Sequence, residues 1–442
     1  MKINRTLLGW PGHSREEIVG RRPGRRTVIQ MSPWPTNPAH HRWLDQHTRE
    51  LLAFGRRTAD PAGGARWLDA RGLPDPRQPA STLISSRMAH VYAVGALLGV
   101  PGAAPVAEQS LRGLSGRLRD AEHGGWFPTA TDHTVKSCYD HAFVLLAGAS
   151  ATSAGLTGGP ALLAEAEAVF VRRFWDDEAG RCVDTWNADF TVLEGYRGIN
   201  ATMHAVEAML TVAGVTGDDE WLDRALRVCR FVADTARAHD WRIPEHYDEH
   251  WRPLPEFHRD RPDHPFKPYG VTVGHGLEWS RLLLHAEAAR PEGTQPWLAE
   301  AARSLFDRAV ADGWAVDGRP GFVYTTDFTG APVVRDRMHW VTTEAISAAA
   351  ALHRRFGTEQ YAAWYRTWWD YAAEYLIDHD NGSWFHQLDA ENVPTDTVWP
   401  GKPDLYHSLQ ATLTARLPLT PMLAPAVAGT LTGPGQVISS GP

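Results

Sequence analysis

At 442 residues, 43% hydrophobic and 22% charged, the chain has the balance of a globular protein with ample core. A formal charge of −8 with both signs interspersed leaves no basic stripe and excludes nucleic acid as the expected partner. No run of about 18 apolar residues points to a membrane span, the arginine-bearing start lacks the apolar core of a signal peptide, and a cytoplasmic location is expected. Cys138, Cys182 and Cys229 are too few and too far apart for a disulfide framework or a cysteine-based zinc site, and read as small buried hydrophobes.

Residues 1–35, rich in Gly, Pro and Arg without periodicity, read as a mobile arm. Asn37-Pro38 then sets an N-cap followed by proline in the first turn, opening a helix that runs through Leu51 and Phe54. From there apolar residues recur at helical spacing over 87–98, 138–151, 160–174, 200–212, 220–236, 278–289, 295–311, 342–356, 358–375 and 408–417, which predicts about ten to twelve helices and little strand. Residues 419–442, uncharged and rich in Pro, Gly, Thr and Ala, read as a disordered C-terminal tail.

Between helix pairs a short insert of Gly, aromatic and Asp residues recurs: Gly124-Gly125-Trp126-Phe127, Gly180-Arg181-Cys182-Val183-Asp184, Trp241-Arg242-Ile243-Pro244, Gly321-Phe322-Val323-Tyr324 and Gly382-Ser383-Trp384-Phe385. Its interval of roughly 55 to 80 residues is longer than a two-helix solenoid repeat. Two ~15-residue helices plus a β-turn insert need about 60 residues, so about six such units use up the chain from 37 to 418. The expected fold is all-α: an (α/α)6 barrel over residues 36–418, with inner helices lining a funnel and short β-hairpin inserts at one rim. Tryptophan (19) outnumbers Phe (14) and Tyr (11). Most of these rings are expected in the core, as at Trp364, Trp368 and Trp369, although flat apolar faces also suit sugar C–H groups.

The residues able to do chemistry sit where helices begin. His275 and Glu278, at i and i+3, share a helical face behind Gly274 and Gly276, and a carboxylate beside an imidazole fixes its tautomer and raises its basicity. A solvated helix-face pair would show the same spacing. His204 and Glu207 repeat it and raise the question of metal, but neither the His-Glu-x-x-His of zinc hydrolases nor the Glu-x-x-His of di-iron bundles occurs, and no metal is expected. There is no Gly-x-Ser-x-Gly elbow. Asp140, Glu245 and Asp404 could pair as in an inverting glycosidase, yet any acid-rich chain offers such pairs. Arg87 heads an apolar helix and needs an acceptor, either a structural carboxylate or a sugar oxygen. Asn200 and His204 share one face of another apolar helix, and Lys402-Pro403-Asp404-Leu405-Tyr406-His407 leads straight into the last one.

Taken in order, Ser86-Arg87-Met88, the Gly-Gly-Trp-Phe insert, Asn200-x3-His204, Gly274-His275-x2-Glu278, Trp340-x3-Glu344 and Lys402-Pro403-Asp404-x-Tyr406-His407 resemble the N-acylglucosamine 2-epimerase superfamily. The resemblance is to its branch of bacterial mannose and sulfoquinovose isomerases and spans roughly residues 37 to 418. It implies an aldose–ketose isomerase working through a cis-enediolate on a monosaccharide, D-mannose to D-fructose or D-lyxose to D-xylulose, with no cofactor, as a monomer or homodimer. His407 would move the proton between C2 and C1. His275, oriented by Glu278, would open the ring and serve the oxygens. Arg87, Tyr139, Asn200, His204, Glu344 and Gln387 would hold hydroxyls, with Trp340 as a stacking wall. The rivals are a 2-epimerase or a sulfoquinovose isomerase on the same site, and an (α/α)6 glycoside hydrolase. A sulfonate would need a cation beyond Arg87, for which Lys402 and Arg337 are candidates, though surface roles suit both.

Overall fold

Two kinds of helix alternate along the chain, and their sequences differ accordingly. A computed structural model describes residues 32–290 and 295–432. In chain order its helices are α1 (Pro38–Gly55), α2 (Thr82–Leu97), α3 (Ala103–Ser115), α4 (Cys138–Ser153), α5 (Gly159–Arg173), α6 (Ile199–Thr216), α7 (Asp219–Ala238), α8 (Val273–Ala289), α9 (Pro296–Gly313), α10 (His339–Phe356), α11 (Glu359–Tyr371), α12 (Tyr406–Thr414) and α13 (Leu423–Thr432). The N-terminal arm lies outside the described residues except for its last few. The even-numbered helices from α2 to α12 are buried on nearly every side, as an apolar helix must be, whereas α7 buries only a stripe running from Trp221 and Leu222 to Ala236. The even helices pack side by side in a closed inner ring. The odd helices α3 to α11 each back onto the preceding inner helix, and α1 closes the circle outside α12. This is the (α/α)6 barrel expected from the repeat.

Local signals start the helices where the sequence places them. Asn37 caps α1 through its side chain ahead of Pro38, Ser81 caps α2 and Ser137 caps α4. Gly217 and Gly357 end α6 and α10 in the left-handed conformation, with φ of 71° and 68°. Close ring packing needs small residues: a Cβ on Gly148 would stand 2.8 Å from the Leu163 backbone, so this glycine lets α4 and α5 touch. Two helices are not predicted by the sequence, α13 in the C-terminal segment and α3, where Pro105 in the first turn and glycines toward the end obscure the period. The helix expected over 358–375 ends instead in a π turn, Ala372–Leu376.

The inserts form the rim. Four inner helices follow directly on two- or three-residue strands, Val135–Ser137, Tyr196–Gly198, Val271–Thr272 and Arg337–Met338, each paired antiparallel with a strand that follows the next outer helix. A recurrent ion pair fixes this join. Lys136 donates to Asp120 at 2.6 Å, Arg337 to Asp317 at 2.8 Å and Lys402 to Asp378 at 2.6 Å, each aspartate lying just before the glycine turn of an insert. Asp120 also accepts from the backbone N–H groups of Glu122 and His123, so one carboxylate folds the turn and holds the cation. All these side chains are buried. Lys402 and Arg337 are thus neither surface groups nor sulfonate ligands; they pin inner helices to the rim.

The other end of the barrel is sealed. Residues 419–432, expected to be disordered, turn across the C-terminal ends of the inner helices, and α13 packs on α2, α4, α6 and α12. Gly214 near the end of α6 faces Pro421, and His285 near the end of α8 hydrogen-bonds the Leu419 carbonyl. The surplus of tryptophan is largely core: Trp126, Trp279, Trp368, Trp369 and Trp384 are fully buried, and Trp384 donates to His47 at 2.8 Å.

Candidate active site

The first two turns of the six inner helices open into one cavity. Leu83, Ile84 and Arg87 come from α2, Tyr139 from α4, Asn200 and His204 from α6, His275 and Glu278 from α8, His339 and Trp340 from α10, and His407 from α12, with Asp404 just ahead of it. Loop residues Pro265, Phe266, Pro268, Trp399 and Pro403 form the mouth, where Phe266 meets Trp399 edge-on at 5.1 Å. The polar floor and apolar mouth give the shape of a small-ligand site. Six helix N-termini also aim their partial positive charge at this space, which favours negative charge developing there.

Two histidines are held in the same way. Nδ1 of His275 lies 2.8 Å from Glu245 Oε2, and Nδ1 of His407 lies 3.0 Å from Glu344 Oε1. A carboxylate accepts from Nδ1–H and leaves Nε2 as the basic nitrogen. Both rings lie against Trp340, with centroids at 5.4 and 5.8 Å. Burial above all, then the Arg87 charge, holds His407 well below the ordinary imidazole range, so it stands neutral. His204 and His339 are pushed down to about 4, chiefly by burial.

Arg87 stands over the Phe143 and Tyr406 rings. It donates to Asp404 at 3.0 Å and to Tyr139 at 2.9 Å, while its Nε has no partner. Burial would push the Asp404 carboxyl up, but Arg87 and the Tyr406 N–H outweigh it and hold the group below its usual range. Burial raises the Tyr139 hydroxyl to about 12, so it stays a donor. Asn200 Oδ1 is likewise buried without a hydrogen bond, and a sugar hydroxyl would satisfy it; His204 Nδ1 instead faces Glu207 at 3.6 Å and Glu278 at 3.8 Å.

Three of the expected roles change. Glu278 lines the cavity but does not orient His275; that partner is Glu245, which the register of the Tyr196–Gly198 and His246–Asp248 strands brings beneath the first turn of α8. Both oxygens of Glu278 lack hydrogen bonds, and burial first, then Glu344, drives its carboxyl far above the usual range toward the neutral acid. Glu344 is not among the cavity's lining side chains. It bonds His407 and, at 2.9 Å, Arg281. Gln387 also faces away, donating to Asp336 and Thr397 and accepting from the N–H groups of Val398 and Trp399, which shapes the loop carrying Trp399. His339 heads a cluster that the sequence singles out without giving it a role, and its ring stacks on that of His386 at 3.9 Å in the cavity; His386 and Arg281 carry no expectation from the sequence.

Among the described residues one cluster, His204, Glu207 and Glu278, brings ligand atoms within 4.8 Å as a metal site would. Arg281 already stands 3.7 Å from Glu207 and 3.5 Å from Glu278, supplying the cation these carboxylates need.

Known proteins share this sequence and fold. The family model for N-acylglucosamine 2-epimerase (GlcNAc 2-epimerase) matches residues 63–411. A D-mannose isomerase of Thermobifida fusca is 51% identical over 409 residues, spanning 91% of this chain and 99% of the relative. Another, of Pseudomonas cannabina pv. alisalensis, is 45% identical over 406 residues, spanning 90% and 98%. The crystal structure of a D-mannose isomerase matches with a TM-score of 0.79 at 26% identity, covering 86% of this chain and 99% of that one.

Proposed function

The chain belongs to the N-acylglucosamine 2-epimerase family, and we propose that within it this protein is a metal-independent isomerase interconverting D-mannose and D-fructose through a cis-enediolate. The observation that carries the proposal is the pair of buried imidazoles on either side of Trp340, each with Nδ1 on a carboxylate. The two relatives named D-mannose isomerase, at 51% and 45% identity, support the choice of sugar.

Isomerisation moves one proton from C2 to C1 and another from O2 to O1. His407 Nε2 takes the C2 proton of the opened aldose, the electron pair forms the C1–C2 double bond, and charge gathers on O1. Arg87, the Tyr139 hydroxyl and the converging helix N-termini stabilise that oxyanion in a site where little water competes. His275 carries the proton between the oxygens and assists ring opening, and His407 returns its proton at C1. Two general acid–base groups contribute about 10²–10⁴-fold each.

The charge of the lining favours a neutral sugar over a sulfonate. The charge of Arg87 is already balanced by Asp404, burial keeps His204 and His339 neutral, and Lys402 and Arg337 are turned into the rim. An anionic substituent would meet no free cation among these groups.

The test is an NMR time course of D-mannose in D₂O with no added metal. Fructose deuterated at C1 is the expected first product, with the rate unchanged by EDTA and no turnover of sulfoquinovose. Glucose deuterated at C2 as the main early product would replace the isomerase with an epimerase, and EDTA inactivation reversed by Mn²⁺ would overturn the metal-free chemistry.

A further inference from the structure

Beneath the cavity floor lies a charge cluster that the proton transfers described above do not use. Glu207 on α6, Glu278 and Arg281 on α8, and Glu344 on α10 are all essentially without exposure. Three carboxylates share one guanidinium: Arg281 Nε donates to Glu344 at 2.9 Å, and its Nη2 stands 3.5 Å from Glu278 and 3.7 Å from Glu207. Gln410 on α12, with its amide oriented to satisfy both neighbours, accepts from Arg281 at 2.8 Å and donates to Glu207 at 3.2 Å. Tyr406, next to His407, donates to Glu207. The shortest of the arginine's ion pairs therefore goes to the glutamate that holds His407.

We propose that Arg281 is a positioning residue: its bond to Glu344 keeps that carboxylate ionised, so that Glu344 accepts from His407 Nδ1–H and the basic lone pair stays on Nε2, facing the substrate. The proposal rests on the isomerase reading above for its activity arm only. Its logic is a choice between two proton arrangements. A buried carboxyl without a cation takes up a proton. A protonated Glu344 would donate to Nδ1, the ring's own proton would move to Nε2, and the base would be silenced with its position unchanged. The Glu344 carboxyl stands above its usual range because of burial, and Arg281 is the main influence opposing that rise, so removing the guanidinium would tip the carboxyl further toward the acid. Arg281 is not among the residues that line the cavity; it acts through Glu344.

The experiment is a ¹⁵N spectrum of histidine-labelled full-length protein without substrate, together with mannose kinetics. In the wild type His407 gives the Nδ1–H tautomer. Arg281→Met gives the Nε2–H tautomer and lowers kcat about 10³–10⁴-fold, the scale of a wrong-tautomer histidine, with KM little changed. Glu344→Gln does the same, because its amide oxygen stays on Arg281 and its NH₂ donates to Nδ1. The double variant falls no further than either single one, as residues acting in one chain do. Arg281→Lys, which keeps the charge, retains the Nδ1–H tautomer and most of the activity. An Arg281→Met protein whose His407 remains Nδ1–H, or a double variant whose losses multiply, would overturn the proposal. If methionine at 281 prevents folding, Arg281→Gln, neutral but polar, takes the same reading. The tautomer is read without substrate, so a wild type that fails to turn over mannose sinks the isomerase reading and leaves the spectrum to decide this one.

Discussion

The two ends of the barrel are built from the same twelve ring helices, yet they share almost nothing chemically. At the N-termini of the inner helices the chain leaves polar atoms of Arg87 and Asn200 without hydrogen bonds, buries five imidazoles, and lets short strands and ion-paired turns fix the geometry. At the C-termini it lays Met422, Ala424, Ala426 and Val427 across the ring and closes it. Helix polarity explains the division: only the N-terminal end offers N–H groups and partial positive charge to a developing oxyanion. The reacting end holds unsatisfied groups, which cost stability, and the sealed end and the rim supply stability in return.

That division can be broken at chosen points. The largest effect is expected from His407→Ala, which should abolish both fructose formation and deuterium exchange at C2, a loss of about 10⁴-fold or more, with an unchanged circular dichroism melt. Retained exchange would remove His407 from the role. Lys136→Met at the rim should do the reverse. It strands Asp120 in a buried site and costs about 3–5 kcal/mol, measured by denaturant unfolding, while kcat per folded molecule holds. Glu245→Gln tests the corrected partner of His275 and should lower kcat/KM about 10–100-fold without loss of stability; an effect confined to Glu278→Gln would restore the original assignment. At the sealed end Val427→Ala should cost about 2 kcal/mol and leave kcat and KM alone.

The buried histidines set how stability depends on pH, and their contributions add. His90, His204, His285 and His339 are lowered to about 4 and His141 to about 3, chiefly by burial, from 6.5. A group lowered in the folded state contributes stability that is complete above its unfolded value and lost as pH falls toward the folded one. The unfolding free energy should therefore fall steadily from pH 6.5 to 4, by up to about 1.4 kcal/mol per pH unit for each histidine, and the melting temperature with it. Asp140, raised to about 6, and Glu278 run the other way and offset part of the loss. A flat melting temperature across that range would mean these rings are hydrated.

Much of this could be read in the sequence because the barrel repeats. The period of the inserts located the rim, and residues at helix starts, Arg87, Asn200, His204, His275 and His407, fell together because every inner helix begins at the same level. The misassignments concern partners rather than positions. Glu245 reaches His275 through a strand pairing that no spacing along α8 reveals, so the nearer Glu278 took its place in the reading. Gln387 belongs to a strand pairing with Arg337–Met338, and its side chain faces the loop behind. Arg281 carried a usable signal: an arginine inside an apolar helix demands buried acceptors, the argument already applied to Arg87. The tail misled because Pro, Gly and Ala suit a coil in solution, and only the open end of a ring gives them a surface to cover.

The ring closes between its ends: α1 packs outside α12, Thr48 and Thr412 share a hydrogen bond of 2.7 Å, and Arg416 reaches Asp45. During synthesis, α1 must wait for more than three hundred residues to emerge before its partner exists, and that partner carries His407. Contacts so distant in sequence form slowly, so a nascent chain holds five inner helices with an exposed seam until its last turns arrive. Catalytic competence and topological closure are then one event, and a ribosome-bound chain stopped before residue 406 should bind chaperones and process no sugar.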